Sequence, residues 1–432
     1  MIKIFLLIII SFFFSNCSLN ENSRIWNKKT KTFEGNKKIR VILDDNKEIS
    51  KELNSQLKID ISQIKVSNKI RDNRNNFGAQ NYSGKLNKIQ NFKFAKFDQS
   101  SEINFQPLFF KNGLIFFDNK GSIIKYNYNS KVVWKKNYYS KFEKKSRPKL
   151  SFFKIGNNVI IVDNLSKLHL VNLTSGELIW SKVNDYPFNS EIKVFDDRFF
   201  VIDLKNILRC FYIKDGSECW SLQTENSLTI PNSKNSLIVD DNLVIFNNTV
   251  GDITAVDMFT GNIIWQLPTQ SSDIINETYS FKNSNLVSDG KSIFFSNNKN
   301  EFYSIEKKNG SVNWVNKVRS NLTPILINDL IFTISNDGFL YTIEKKSGNL
   351  IRINDIYKNY KSKKRKFLKP IGFSLGLNKI YLTNNNGRLK VIELNSGNVI
   401  NSKKISRENI SKPFIYNNNL FVIKNGAIVQ YD

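Results

Sequence analysis

The chain has 432 residues, enough for two or three ordinary domains or one large repeat domain. Hydrophobic residues make up 40% and aromatics 13%, which supplies a sizeable core, and abundant Phe and Tyr beside only two Met favour strands over helices. The formal net charge of +26 comes from Lys spread along the whole chain rather than gathered in one stripe, so it reads as solvated surface and argues against a nucleic-acid face.

The N-terminus, "MIKIFLLIIISFFFSNCSLN", carries one Lys, an apolar run from Ile4 to Phe14, and then Cys17. That run is too short to cross a bilayer, which takes about 20 apolar residues, and has the length of a secretory signal peptide. A Cys directly after such a run resembles a bacterial lipoprotein signal. The resemblance implies a signal peptide over 1–16, acylation at Cys17 and, with Ser18 following, the outer membrane. Residues 17–90 are rich in Lys, Asn and Ser, with only short apolar alternations such as "IRVIL" (39–43), and read as a polar tether with little regular structure. A flexible stretch from Cys17 to Phe92 has an end-to-end distance on the order of 50 Å.

From about residue 91 a repeat takes over. The clause "SGELIW" (175–180) returns as "DGSECW" (215–220), "TGNIIW" (260–265) and "NGSVNW" (309–314), and without its Trp as "SGNLIR" (347–352) and "SGNVIN" (396–401). Its glycines, Gly176, Gly216, Gly261, Gly310, Gly348 and Gly397, lie 40, 45, 49, 38 and 49 residues apart. An earlier copy, "NSKVVW" (129–134), keeps Trp134 but has Ser130 at the Gly position. Ahead of each marker stand short β-branched and aromatic runs separated by polar turns, such as "NVIIVD" (158–163) and "LHLVNL" (168–173). Such runs are strands. Four antiparallel strands in each unit of about 40–50 residues make a propeller blade.

The clause itself reads as the last hairpin of a blade, closed by a residue of positive φ that Gly supplies cheaply. Seven copies have a complete ending. An eighth, "KPFIYNNNLFVIKNGAIVQYD" (412–432), lacks its outermost strand, and "NFKFAKF" (91–97) stands ahead of the first blade with nothing to pair with. Joining the two closes the ring and removes both open edges. The expectation is an all-β protein whose domain at 91–432 is an eight-bladed β-propeller, with seven blades as the alternative.

Five of the six tryptophans, Trp134, Trp180, Trp220, Trp265 and Trp314, occupy the equivalent place in successive blades. A cofactor on the axis needs one platform, whereas five equivalent rings around a circle point to packing between blades. Copies of the type "AVDMFTGNIIW" (255–265) resemble the quinoprotein-type repeat shared by pyrroloquinoline-quinone dehydrogenases and BamB-like outer-membrane assembly lipoproteins. The dehydrogenases use adjacent cysteines, a carboxylate base and acidic and amide Ca²⁺ ligands. Here Cys210 and Cys219 are nine apart on one hairpin, a candidate disulfide pair in an exported protein. No acidic constellation stands out. His169 is the only His, which excludes His-rich metal sites, and it reads as a structural strand residue.

The BamB-like resemblance, strengthened by the lead-in "NNFGAQNYSGKLNKIQNFKFAKF" (75–97), therefore implies a lipid-anchored, non-enzymatic scaffold of the β-barrel assembly machinery on the periplasmic face of the outer membrane. It implies a partner in the periplasmic domains of BamA, and neither cofactor, metal, nucleic acid nor small-molecule substrate. A quinoprotein-like dehydrogenase and an envelope ligand-binding propeller stay as alternatives. The family's partner contacts lie in loops around the third to fifth blades, here "NSLTIPNSKN" (226–235) and "NETYSFKNSN" (276–285), where its Arg and Asp residues have no counterpart. The connection after Trp265 carries Ile274, Ile275, Tyr279 and Phe281, read either as a partner contact or as a strand of the fifth blade. The basic run "KSKKRK" (361–366) between the sixth and seventh blades reads as a solvated loop, or as a contact with anionic lipid or an acidic partner.

Overall fold

Short β-branched and aromatic runs cannot bury both their faces alone, and in the computed structural model they do so by stacking sheet on sheet around a ring. Residues 51–60, 76, 80, 82–98, 105–225, 234–269, 283–297 and 299–432 are described. They form eight four-stranded antiparallel sheets, so the ring has eight blades. Blade six shows the pattern: Ile325–Ile327 innermost, then Leu330–Ile334, Phe339–Glu344 and, at the rim, Leu350–Asp355. Its second and third strands are buried along nearly their whole length, because a neighbouring blade covers each face. The core is accordingly divided among the seams between blades. One cluster joins Ile160, Val162, Leu168 and Leu170 of blade two to Phe199, Val201 and Phe211 of blade three.

The eighth sheet runs Phe414–Tyr416, Asn419–Lys424 and Ala427–Tyr431 and takes its rim strand from Lys88–Lys93. The closing strand thus begins and ends a few residues before the expected 91–97. Phe94 and Phe97 leave the sheet edge to pack against Phe116 and Phe117 of blade one, with centroids 5.0 and 5.6 Å apart. Aromatic content alone had extended the strand over them.

Strand direction alternates within each blade. The first-to-second hairpins of all blades and the third-to-fourth hairpins of blades one to seven therefore lie on one face of the ring. The remaining hairpins and all connections between blades lie on the other, here called the connection face. Two short helices sit there: α1 (Lys141–Lys145), opened by a reciprocal cap between Ser140 and Glu143, and α2 (Ser362–Arg365).

Candidate functional site

The repeated clause builds the seams at the rim. Its glycines have φ between +69° and +77°, and each of these hairpins carries a register shift just beyond the turn. The Trp of one blade lies against the Gly of the next. A Cβ at Gly176 would come 2.8 Å from the Trp134 ring, and one at Gly310 would come 2.5 Å from that of Trp265. Gly216, Gly261 and Gly348 meet Trp180, Trp220 and Trp314 in the same way. Each indole Nε1–H also donates to a carbonyl three residues before that Gly: Leu173, Ile213, Met258, Lys307 and Lys345, at 2.9–3.1 Å. Five equal latches result, each an apolar ring with its polar end satisfied.

The sixth seam is built differently. Arg352 occupies the Trp position, fully buried, and its Nη2 donates to Leu394 O at 2.8 Å, the carbonyl equivalent to those the indoles reach. Nη1 donates to Asn395 O and, at 3.0 Å, to Leu57 O. Burial lowers the guanidinium pKa to about 10, which leaves it charged at neutral pH. Residues 51–60 are seated beside it. Leu53 exchanges backbone hydrogen bonds with Ile353, Ile59 N–H donates to Asn395 O at 3.0 Å, and the Ile59 side chain joins the core of blades six and seven. Gly397 here meets Asn354. Part of the expected free tether is thus seated on the rim. No repeat signal announced it, since most of its hydrogen bonds are to main-chain N–H and C=O groups of the ring.

Described residues of the lead-in also reach the innermost strands. Asn76 is buried, its Nδ2 donating to Leu286 O at 2.8 Å, while Lys193 Nζ donates to its Oδ1 at 2.5 Å. Lys193 opens the innermost strand of blade three, and Leu286 immediately precedes that of blade five. Gln80 N–H donates to Leu375 O, at the far end of the innermost strand of blade seven, and Tyr82 O accepts from Leu377 N–H. These contacts lie among innermost strands on different sides of the ring, at both its faces. Among the described residues no group of three or more His, Cys, Asp or Glu side chains is placed to hold a metal.

His169 lies in the first seam, buried beside Tyr138 and Tyr139, with neither ring nitrogen hydrogen-bonded. Desolvation lowers its pKa to about 4. Cys210 and Cys219 stand as free thiols. Cys210 pairs with Trp220 across the hairpin, and Cys219 is the extra residue of the bulge. Burial, followed by the contact with Cys219, pushes the Cys210 thiol well up. Cys17, segment 226–233, and Ile274, Ile275, Tyr279 and Phe281 lie outside the described residues.

A family model described as "Outer membrane protein assembly factor BamB" matches residues 119–354. Among solved structures, BamB from Moraxella catarrhalis is 16% identical, over 80% of this chain and 99% of its own, with a TM-score of 0.63. The quinohemoprotein alcohol dehydrogenase ADHIIG from Pseudomonas putida is 10% identical, over 82% of this chain and 78% of its own, with a TM-score of 0.61. A europium-containing methanol dehydrogenase is 8% identical, over 81% and 87%, with a TM-score of 0.63. At such identities a structural likeness establishes the fold alone. No curated protein matches the sequence.

Proposed function

Because this chain belongs to the family of the outer membrane protein assembly factor BamB, whose model covers more than half of it, we propose that it is a non-enzymatic scaffold in outer-membrane protein assembly. Its partner is the periplasmic part of a BamA-like barrel-assembly subunit, and Cys17 carries the lipid that holds it at the periplasmic face of the outer membrane. The observation that supports this reading beyond the family match is the seat of the lead-in on the ring. Asn76 joins Lys193 of blade three to Leu286 of blade five, and Gln80 bonds Leu375 of blade seven. Strands committed to their own sheets and closed edges leave recognition to the loops.

The partner contact is assigned to the connections of the third to fifth blades, with Ile274, Ile275, Tyr279 and Phe281 as its apolar centre. Capture of the full chain from detergent-solubilised membranes, with identification of what comes with it, tests the reading. A barrel-assembly subunit is expected, lost on replacing Ile274 and Ile275 with Ser at an unchanged melting temperature. Recovery of no such subunit overturns the scaffold role. For the anchor, a fatty-acid label is expected on the wild type and absent from Cys17→Ser.

A further inference from the structure

The connection from Lys358 to Lys369 carries seven cations and no acid: Lys358, Lys361, Lys363, Lys364, Arg365, Lys366 and Lys369. One of them is used by the fold. Arg365 Nη1 donates to Asp355 Oδ2 at 2.6 Å and its guanidinium lies 4.8 Å over the Phe339 ring, while Leu368 is buried. These two side chains pin α2 to the end of blade six. Lys364 stays exposed, its ammonium 5.5 Å from the Tyr360 ring. Lys361, Lys363, Lys366 and Lys369 are exposed and make no ion pair with any described residue. Phe367 stands among them, 73% exposed. An aromatic ring held in water beside unpaired lysines costs solvation and gains nothing for the fold.

The chain's own path adds a second observation. Asp355, which holds Arg365, donates its N–H to Glu52 Oε1 at 3.1 Å. The segment seated on blade six runs antiparallel to the rim strand Leu350–Asp355, so its start at Lys51 lies at the connection face, beside α2.

We propose that this edge of the connection face lies on an anionic phospholipid surface, with the lysines of 358–369 at the phosphates and Phe367 in the interfacial layer. The pairing of cations with one exposed aromatic suits a membrane interface, where the charge is attracted and the ring gains apolar contact. An acidic protein surface would use the charge and leave the ring without a pocket. The inference deepens the proposed function by giving the ring an orientation, and it rests on the membrane location in that reading.

Hydrogen exchange of the full chain on phosphatidylglycerol-rich vesicles, compared with phosphatidylcholine vesicles, tests it. Amides of 361–368 are expected to exchange severalfold more slowly on the anionic vesicles only, and high salt should reverse this. Each lysine near an anionic surface strengthens attachment about fivefold, the equivalent of ~1 kcal/mol. Replacing Lys361, Lys363, Lys364 and Lys366 with Gln should abolish the protection at an unchanged melting temperature. Replacing Lys214, Lys308 and Lys346, on hairpins of the opposite face, should leave it intact. Equal exchange on both vesicles, or equal loss in both variants, overturns the proposal. So does protection that requires an added acidic membrane protein. Loss of fatty-acid label at Cys17 with the protection intact would remove the anchor and leave this surface standing.

Discussion

Seams one to five and seam six solve one problem with different chemistry. In the first five, a Trp covers the Gly of the next blade and its Nε1–H reaches a fixed carbonyl. In the sixth, Arg352 reaches the equivalent carbonyl of Leu394, and residues 51–60 are seated beside it. A Trp latch is local and complete in two blades. The Arg latch is complete only when a segment some 300 positions away is in place. The difference teaches that at seam six the loss of the Trp goes with the docking of another part of the chain.

Trp265, the most buried of the five, separates latch from ornament. Trp265→Ala should cost about 3–5 kcal/mol, read as a lowered urea midpoint at unchanged slope. A loss under about 1 kcal/mol would break the view that the Trp seams hold the ring. Arg352→Ala leaves the carbonyls of Leu57, Leu394 and Asn395 without their donor, at a cost of about 3 kcal/mol. It should also open residues 51–60 to protease. Arg352→Trp sharpens the comparison: an indole N–H can replace the donor to Leu394 O but not also the one to Leu57 O, so it should recover part of the stability while still loosening 51–60.

His169 makes the first seam the titrating one. Its folded pKa, about 4, lies below the ordinary value near 6.5, so between these the unfolded chain binds the extra proton. Stability is therefore full at neutral pH and falls as pH drops through that window, by about 3 kcal/mol in all. Tyr138, Tyr139, Lys167 and Glu143 surround it, and burial moves Asp163, bonded to Tyr139, in the opposing direction. The difference between wild type and His169→Leu isolates the His. The variant should lose that acid slope, and chemical denaturation at several pH values should show it. Gly310→Ala is the mildest change, about 2 kcal/mol, combining φ of +73° with a Cβ 2.5 Å from the Trp265 ring. An equal melting temperature would mean that the indole gives way freely.

The propeller was legible because its signals repeat. Positive-φ glycines at a near-constant period, with strands of alternating and continuous apolar character before them, specify a hairpin wherever they occur. The five Trp latches were legible for the same reason. Arg352 was not, since "SGNLIR" read alone shows only a missing Trp. Residues 51–60 were hidden because they bond mainly to main-chain groups, which leave no trace in side-chain pattern, and Asn76 because one Asn bonded to one carbonyl and one lysine makes no repeat. The bulge at Cys219 moved the hairpin register in a way that composition could not foretell.

The borrowed rim strand of blade eight also sets an order of events. Asn87 binds both carboxylate oxygens of Asp432, 345 positions away, and Lys88–Lys93 pairs with Ala427–Tyr431. No ribosome or export channel delivers those two ends together. Blades can form one after another as the chain emerges, each resting on the one before, yet the first stays open on one side until the last residues arrive. The ring is therefore sealed in a single late step whose loop-closure entropy spans the whole domain. Until then its first strand is an unpaired edge, open to pairing with another chain.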